Sequence, residues 1–208
     1  MHSVILDIGW LACALTIIVA WPQIIKIGLT GSDKGVSALA WALAAYGHSL
    51  WAIFSYATGQ TPMLVANLCT AAAEAILASW LLLRRRQVIY LSGFFASFAV
   101  VLYTSTYFID NIALEVSLLA AALGAFWRVP QWYLSRQAAT TKSSDTIAGV
   151  STITWLLLVL SSACWVIYGV AQYQWVQSVV SFGNMGVSLI VLLTTVKARV
   201  LVVESVSE

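Results

Sequence analysis

Tryptophan and asparagine side chains recur at matched positions in two apolar parts of the chain. Trp51 lies eight residues before Gly59 and Asn67 lies eight after it, so both would lie about 12 Å from the turn of a helical hairpin. A second set brackets a later turn and comprises Trp165, Tyr168 and Asn184. The spacing of this set leaves open which of its two aromatic residues corresponds to Trp51.

The chemistry of these two sets suits a small solute that carries hydroxyl groups. An asparagine amide both donates and accepts hydrogen bonds, and a tryptophan offers a flat apolar face with one N–H. The two sets therefore predict a binding site for a polar solute such as a sugar. The alternative is that the asparagines bond between helices and the tryptophans lie at the membrane interface, as we expect for Trp10, Trp21, Trp41, Trp132, Trp155 and Trp175 near predicted helix ends.

Glu74 and His48 are ionisable residues inside apolar stretches. Glu74 follows Asn67 by seven residues, which places both on one face of a helix. A charge near the centre of a bilayer costs about 2.5–3.5 kcal/mol on insertion scales, so Glu74 is expected to be paired or protonated. Glu74, with His48, is thus a candidate for proton coupling, or it bonds structurally to His48 or Ser37. His48 has no second ligand at a useful spacing, so no metal site is predicted.

One phrase of the sequence occurs twice. Residues 35–41 read GVSALAW and residues 149–155 read GVSTITW. A Pro-Gln pair precedes each copy, and an acidic residue lies 15 positions before each proline; these landmarks are Asp7, Pro22-Gln23, Glu115 and Pro130-Gln131. A repeat of this order predicts a duplicated bundle with a substrate site between its halves.

The prolines and acidic residues of the repeat are expected to act in helix bending and helix capping. A proline removes a backbone donor and leaves a carbonyl of the preceding turn unpaired, so Pro22-Gln23 and Pro130-Gln131 are predicted to act as hinges. A plain helix stop is the alternative. Asp7 and Glu115 lie at predicted helix starts, where the helix dipole favours a carboxylate, and they would cap the helix or help to close an outer gate.

The composition predicts a membrane protein. The chain has 208 residues, of which 61% are hydrophobic and 9% are charged, whereas a soluble domain carries about 25% charged residues. Seven apolar stretches approach the length of about 20 residues that a spanning helix needs. They are residues 4–25, 37–57, 60–83, 88–108, 112–134, 152–171 and 175–197. Polar segments separate them, including a turn at Asp110-Asn111 and a loop over residues 136–144.

Composition also narrows the partners and the chemistry. The net charge of +2 and the scattered basic residues predict no nucleic-acid surface. The three cysteines, Cys13, Cys69 and Cys164, lie in apolar stretches and are interpreted as packing residues. No nucleophile–base pair, metal motif or phosphate loop indicates an enzyme or a cofactor. The expected partners are a small-molecule solute and the lipid bilayer, with a homo-oligomer left open.

The basic residues predict the orientation. If the N-terminus is outside, all ten basic residues fall at or beyond the cytoplasmic face, as the positive-inside rule requires. They are Lys26, Lys34, Arg84, Arg85, Arg86, Arg128, Arg136, Lys142, Lys197 and Arg199. The C-terminus is then cytoplasmic. Residues 1–86 and 111–208 form two parallel three-helix units, and residues 87–110 form a linker helix between them.

In its two Pro-Gln pairs and three-plus-one-plus-three layout, the chain resembles the PQ-loop superfamily and, within it, the SWEET sugar transporters. The resemblance implies an all-α integral membrane fold, pocket tryptophan and asparagine residues, and sugar uniport by alternating access. A second expectation is a proton-coupled exporter of amino acids or other zwitterions resembling cystinosin, since Ala66 and Gly183 stand where the SWEET family has prolines. A receptor resembling the KDEL receptor is a third. The short loops suggest a bacterial inner membrane.

Overall fold

A computed structural model describes residues 2–141 and 150–207, and every regular element in these residues is an α-helix. The helices are α1 His2–Ile18, α2 Trp21–Thr30, α3 Ala38–Ala57, α4 Thr61–Arg84, α5 Val88–Phe126, α6 Arg128–Thr141, α7 Thr152–Ala171 and α8 Trp175–Ser207. Gly149 of the second repeated phrase and Lys142 lie outside the described residues. α1 packs against α4 and α7, α3 packs against α4 and α5, and α8 packs against α6 and α7.

Five helical segments of the described chain are long and apolar enough to cross a membrane. They are Val4–Thr30, Thr61–Arg84, Val88–Tyr107, Thr152–Ala171 and Trp175–Leu201. Large apolar side chains on their outer faces are exposed, including Ile76 and Phe182 at 67% and 65%, which lipid would cover. The architecture is therefore that of an all-helical protein compatible with insertion in a bilayer.

Two of the seven predicted spans are missing from this set. The predicted span 37–57 corresponds to α3, whose Tyr46, His48 and Trp51 lower its mean hydropathy. Much of α3 is buried among other helices, which shields these polar groups from lipid. The predicted span 112–134 is not one helix, because α5 ends at Phe126 and α6 begins at Arg128.

Helix α5 bends back on itself. The Tyr46 hydroxyl donates to the carbonyl of Phe94 at 2.9 Å, while a β-carbon at the adjacent Gly47 would lie 3.6 Å from Leu123. On a straight helix, residues 94 and 123 would be about 43 Å apart. The chain must therefore reverse between them. A reversal between these residues agrees with the turn predicted at Asp110-Asn111, although the described backbone of α5 is helical on both limbs, from Val88 to Phe126.

Both Pro-Gln pairs follow a break in a helix. Pro22 and Pro130 cannot donate to the carbonyls four residues earlier, which belong to Ile18 and Phe126. These two residues are the last of α1 and α5. Helical backbone resumes at Trp21 and at Arg128, so the helix is interrupted rather than ended at each proline, and the hinge role stays a prediction.

The chain beyond both breaks also stays helical further than expected. α2 extends to Thr30 and α6 to Thr141, past the predicted loop start at residue 136.

Tryptophans form the core near the Pro-Gln pairs, at what is called here the Pro-Gln end of the bundle. The Trp127 ring lies between Trp41 and Trp155, with centroid distances of 5.9 and 5.7 Å. Trp41 and Trp155 are only 3% and 2% exposed, so their predicted place at the membrane interface is wrong. Trp10, Trp21 and Trp175 are exposed.

Candidate solute-binding cavity

A cavity of about 70 Å³ lies between the two halves of the bundle. Trp51 of α3 and Asn67 of α4 line it from the first half, and Trp165 of α7 and Asn184 of α8 line it from the second. Four of the five predicted solute-binding residues thus surround one space, although they are distant in sequence. Further lining residues with polar side chains are Thr16, His48, Thr70, Arg128, Ser161, Ser162, Gln177 and Ser181.

Tyr168, the fifth predicted residue, does not line this cavity. Its ring packs on α1, where a β-carbon at Gly9 would lie 2.6 Å away. Tyr168 instead lines a separate space of about 500 Å³ at the end of the bundle opposite the Pro-Gln end, together with Trp10 and Gln172. Trp165 is therefore the aromatic residue that corresponds in position to Trp51.

Thr16 joins three helices at the cavity wall. Its hydroxyl accepts a hydrogen bond from Trp165 Nε1 at 2.8 Å and lies 2.6 Å from the Ser161 hydroxyl. The Thr70 hydroxyl donates to the Thr16 carbonyl at 3.1 Å. These contacts fix the Trp165 ring at the cavity. The only signal for Thr16 in the sequence is a hydroxyl within an apolar run, which is a common feature of membrane helices.

A buried carboxylate binds a histidine beside the cavity. Glu74 is fully buried, and its Oε2 lies 2.7 Å from Nδ1 of His48, which lines the cavity. The other carboxylate oxygen, Oε1, has no partner in the described part of the chain. Ser37, the other partner considered for Glu74, instead caps α3 by accepting from the Ala40 amide at 3.1 Å.

Arg128 also lines the cavity, although its place in the sequence suggested a charge at the cytoplasmic face. Its side chain is buried, with the residue 4% exposed. Nε donates to the Ser188 hydroxyl at 2.9 Å, and Nη1 donates to Asn184 Oδ1 at 2.9 Å and to the Gly124 carbonyl. The guanidinium carbon lies 4.5 Å from the centre of the Trp127 ring. The sequence did not predict this burial, and the placement of the ten basic residues at or beyond one membrane face stays a prediction.

The two glutamines of the Pro-Gln pairs bind across the bundle in a reciprocal arrangement, called here the Pro-Gln clasp. Gln23 Oε1 accepts from the Ser151 amide at 2.9 Å. Gln131 Oε1 accepts from the Ser37 amide at 3.4 Å, and Gln131 Nε2 donates to the Gly35 carbonyl at 2.7 Å. Each glutamine thus binds the repeated phrase of the opposite half, where the serine also caps the following helix.

Basic side chains bind the same two phrases. Arg85 donates to the Val36 carbonyl at 2.7 Å, and Arg199 donates to the Val150 carbonyl at 2.5 Å. Lys26 donates to the Val150 carbonyl as well. The clasp, these three cations and the tryptophan core close the cavity at the Pro-Gln end.

Asp7 and Glu115 are exposed, unlike the buried glutamines. α1 begins at His2, so Asp7 lies in its second turn, and Glu115 lies within α5. Neither carboxylate therefore stands in the first turn of a described helix, where the macrodipole would favour it.

A comparison with known families identifies part of the chain. Residues 8–64 match the family described as PQ loop repeat. The matched segment contains Pro22-Gln23, the first repeated phrase and Trp51. The match supports the PQ-loop superfamily, which includes membrane transporters and receptors. No curated protein matches the chain.

Proposed function

We propose that this protein is a membrane carrier that moves a small polar solute, a sugar or a sugar-like compound, by alternating access. The observation that supports it is the cavity between the two halves, where Trp51 and Asn67 face Trp165 and Asn184. Aromatic faces and amides are a common means of holding a hydroxylated solute. The resemblance to the SWEET transporters supports the same solute class and uniport.

The proposed motion uses the helix breaks before the two Pro-Gln pairs. Opening the Pro-Gln end requires the hydrogen bonds of Gln23 and Gln131 to the opposite half to break. α2 and α6 can then swing relative to α1 and α5, because no backbone hydrogen bond from either proline resists the bend. The cavity is small beside ligand pockets of about 300–1,000 Å³, so solute entry requires it to widen.

The proposal extends to topology and surroundings. Residues 1–86 and 111–208 act as two parallel three-helix halves, and residues 87–110 form the helix that links them. The N-terminus faces outward and the C-terminus faces the cytoplasm of a bacterial inner membrane. The protein acts without a cofactor and is not an enzyme.

The test is uptake by purified protein in liposomes without a proton gradient. We expect saturable flux of at least one radiolabelled solute from a panel of sugars and sugar derivatives, and loss of that flux in Asn67→Ala. Gln137→Ala is the control, since that residue is exposed on α6. Folded wild-type protein that gives no saturable flux for any solute in the panel would contradict the proposal.

A second candidate is a proton-coupled exporter of amino acids or other zwitterions. The observation that favours it is the buried Glu74–His48 contact beside the cavity, in which Glu74 Oε1 lacks a partner. A carboxylate in this place can accept a proton when the solute binds. Flux that disappears without a pH gradient, and a Glu74→Gln variant that no longer responds to one, would favour this candidate. Gradient-independent flux retained in Glu74→Gln would remove it.

A further inference from the structure

We propose that the solute carries a carboxylate and that Arg128 binds it, so that the substrate class is a small hydroxycarboxylate or a sugar acid. This inference rests on the proposed transport function. Arg128 lines the cavity from the second half of the bundle and is 4% exposed. A buried guanidinium in a membrane protein marks a functional site by default.

Arg128 has unused hydrogen-bond donors. A guanidinium carries five N–H groups, one on Nε and two on each Nη. Nε binds the Ser188 hydroxyl, and Nη1 binds the Gly124 carbonyl and Asn184 Oδ1. The two N–H groups of Nη2 have no partner within residues 2–141 and 150–207. They are available to the oxygens of an anion.

Within the described chain, Arg128 also has no carboxylate in direct contact, although the buried Glu74 lies near enough for its charge to act on the guanidinium. No carboxylate of the described residues lies within ion-pair distance of its guanidinium, because Glu74 binds His48 instead. Its partners are a hydroxyl, a carbonyl, an amide oxygen and the Trp127 ring, all of them neutral. A buried cation is stabilised chiefly by a charge partner, and a carboxylate matches the planar guanidinium better than any neutral group does.

The rest of the cavity is suited to hydroxyl groups. Gln177 is 3% exposed, lines the cavity, and has no described partner for either Oε1 or Nε2. Gln177 lies in the first turn of α8, near the opposite end of the bundle from the Pro-Gln clasp. Arg128 begins α6, next to the tryptophan core. The solute would thus place its carboxylate toward the Pro-Gln end and its hydroxyls toward Gln177 and Asn67.

The experiment compares solutes that differ only in a carboxylate. Glucuronate is paired with glucose, and glycerate with glycerol, in counterflow by full-length wild-type protein in liposomes. We expect the acid of at least one pair to be carried about tenfold faster or more at low concentration than its neutral partner, as the loss of a charge-assisted hydrogen bond implies. The same acid should raise the melting temperature of the purified protein, and its neutral partner should not.

Variants assign the effect to Arg128. Arg128→Gln should lose the preference for the acid, and Arg128→Lys should keep part of it. Arg136→Gln is the matched control, because Arg136 lies on the same helix, is exposed and also stacks on a tryptophan, at 5.5 Å from Trp132. Size-exclusion profiles show whether each variant is folded, and the wild-type comparison between solutes needs no variant.

The outcomes separate this inference from the proposed function. Wild-type protein that carries glucose or glycerol as well as their acids overturns the carboxylate assignment and leaves the carrier proposal intact. An acid preference that survives in folded Arg128→Gln overturns the role of Arg128. Absence of saturable flux for all four solutes, together with no change in melting temperature, contradicts the carboxylate assignment, whereas the carrier proposal is judged on the wider solute panel.

Discussion

The Pro-Gln end and the cavity differ in how far they preserve the internal repeat. At the Pro-Gln end the main hydrogen bonds of one half have counterparts in the other, although Lys26 and Trp127 do not. Gln23 binds the Ser151 amide and Gln131 binds the Ser37 amide. The neighbouring carbonyls are also bound alike, by Arg85 on one side and Arg199 on the other. The structure that closes the bundle is therefore close to two-fold symmetric.

The residues that line the cavity are equivalent in the two halves only in part. Trp51 and Asn67 correspond to Trp165 and Asn184, and all four line it. The charged groups have no such counterparts. When the prolines, the cavity tryptophans and the cavity asparagines of the two halves are aligned, Arg128 corresponds to Ala20, His48 to Ser162, and Glu74 to Val191. One half thus supplies the acid and the histidine, and the other supplies the cation.

This difference separates the demands of motion from those of recognition. Two parallel halves that open by the same movement need equivalent hinges and equivalent closing contacts. A solute without two-fold symmetry is bound better by an asymmetric set of groups. The repeat therefore predicts where a cavity forms, while its departures from symmetry indicate what the cavity binds.

The largest expected effect on stability is at Glu74. Glu74→Ala removes a buried carboxylate and its hydrogen bond to His48, which should cost about 1.5–3 kcal/mol in the free energy of unfolding. Val191→Ala, the equivalent change in the second half, removes only apolar contacts and should cost about 1–2 kcal/mol. Equilibrium unfolding of both variants in detergent measures the difference. Equal losses would show that the Glu74–His48 contact adds nothing and that the halves are energetically alike.

The clasp should respond equally in both halves. Gln23→Ala and Gln131→Ala each remove hydrogen bonds to the opposite half, and each should cost about 1 kcal/mol of stability. Each should also expose the Pro-Gln end. In a background without the native cysteines, Ser151→Cys should react faster with a thiol reagent when Gln23 is changed. Gln137→Ala should leave that rate unchanged, and a rate unaffected by Gln23→Ala would argue against the clasp as a closing contact.

The symmetric features were accessible from the sequence, because a repeat shows itself in one chain. The Pro-Gln pairs gave the positions of both helix breaks, and equal distances from a turn gave the shared depth of Trp51 and Asn67. The reciprocal bonds of Gln23 and Gln131 were not predicted, since they join residues more than 90 positions apart. Nothing in the spacing of either glutamine specifies the partner phrase.

The asymmetric features were harder to predict for a physical reason. An arginine near a helix end is ordinarily a topology signal, and the burial of Arg128 depends on α6 restarting at that residue. Tyr168 and Trp165 are three positions apart, nearly one helical turn, so only the packing of Tyr168 on Gly9 separates them. No motif or spacing in the sequence indicated that Gln177 would line the cavity.

The prolines test whether the halves also move alike. Pro22→Ala and Pro130→Ala restore an N–H that can bond the carbonyl of Ile18 or Phe126. Because a bonded turn resists bending, each change should slow counterflow by a similar factor while raising stability by no more than about 1 kcal/mol. Flux measured at equal protein content makes the comparison. Unchanged flux in both variants would show that the breaks do not act as hinges.

The smallest expected difference lies between the two cavity tryptophans. Trp165 Nε1 donates to Thr16, whereas Trp51 has no described partner for its N–H. Trp165→Phe should therefore lower the free energy of unfolding by about 0.5–1 kcal/mol, and Trp51→Phe should leave it nearly unchanged. The opposite order is expected for solute affinity, since only the Trp51 N–H is available to a solute. Saturation curves and unfolding curves for both variants measure the two effects. If Trp165→Phe weakened solute binding as much as Trp51→Phe, both indole N–H groups would contact the solute, and the aromatic part of the cavity would be symmetric after all.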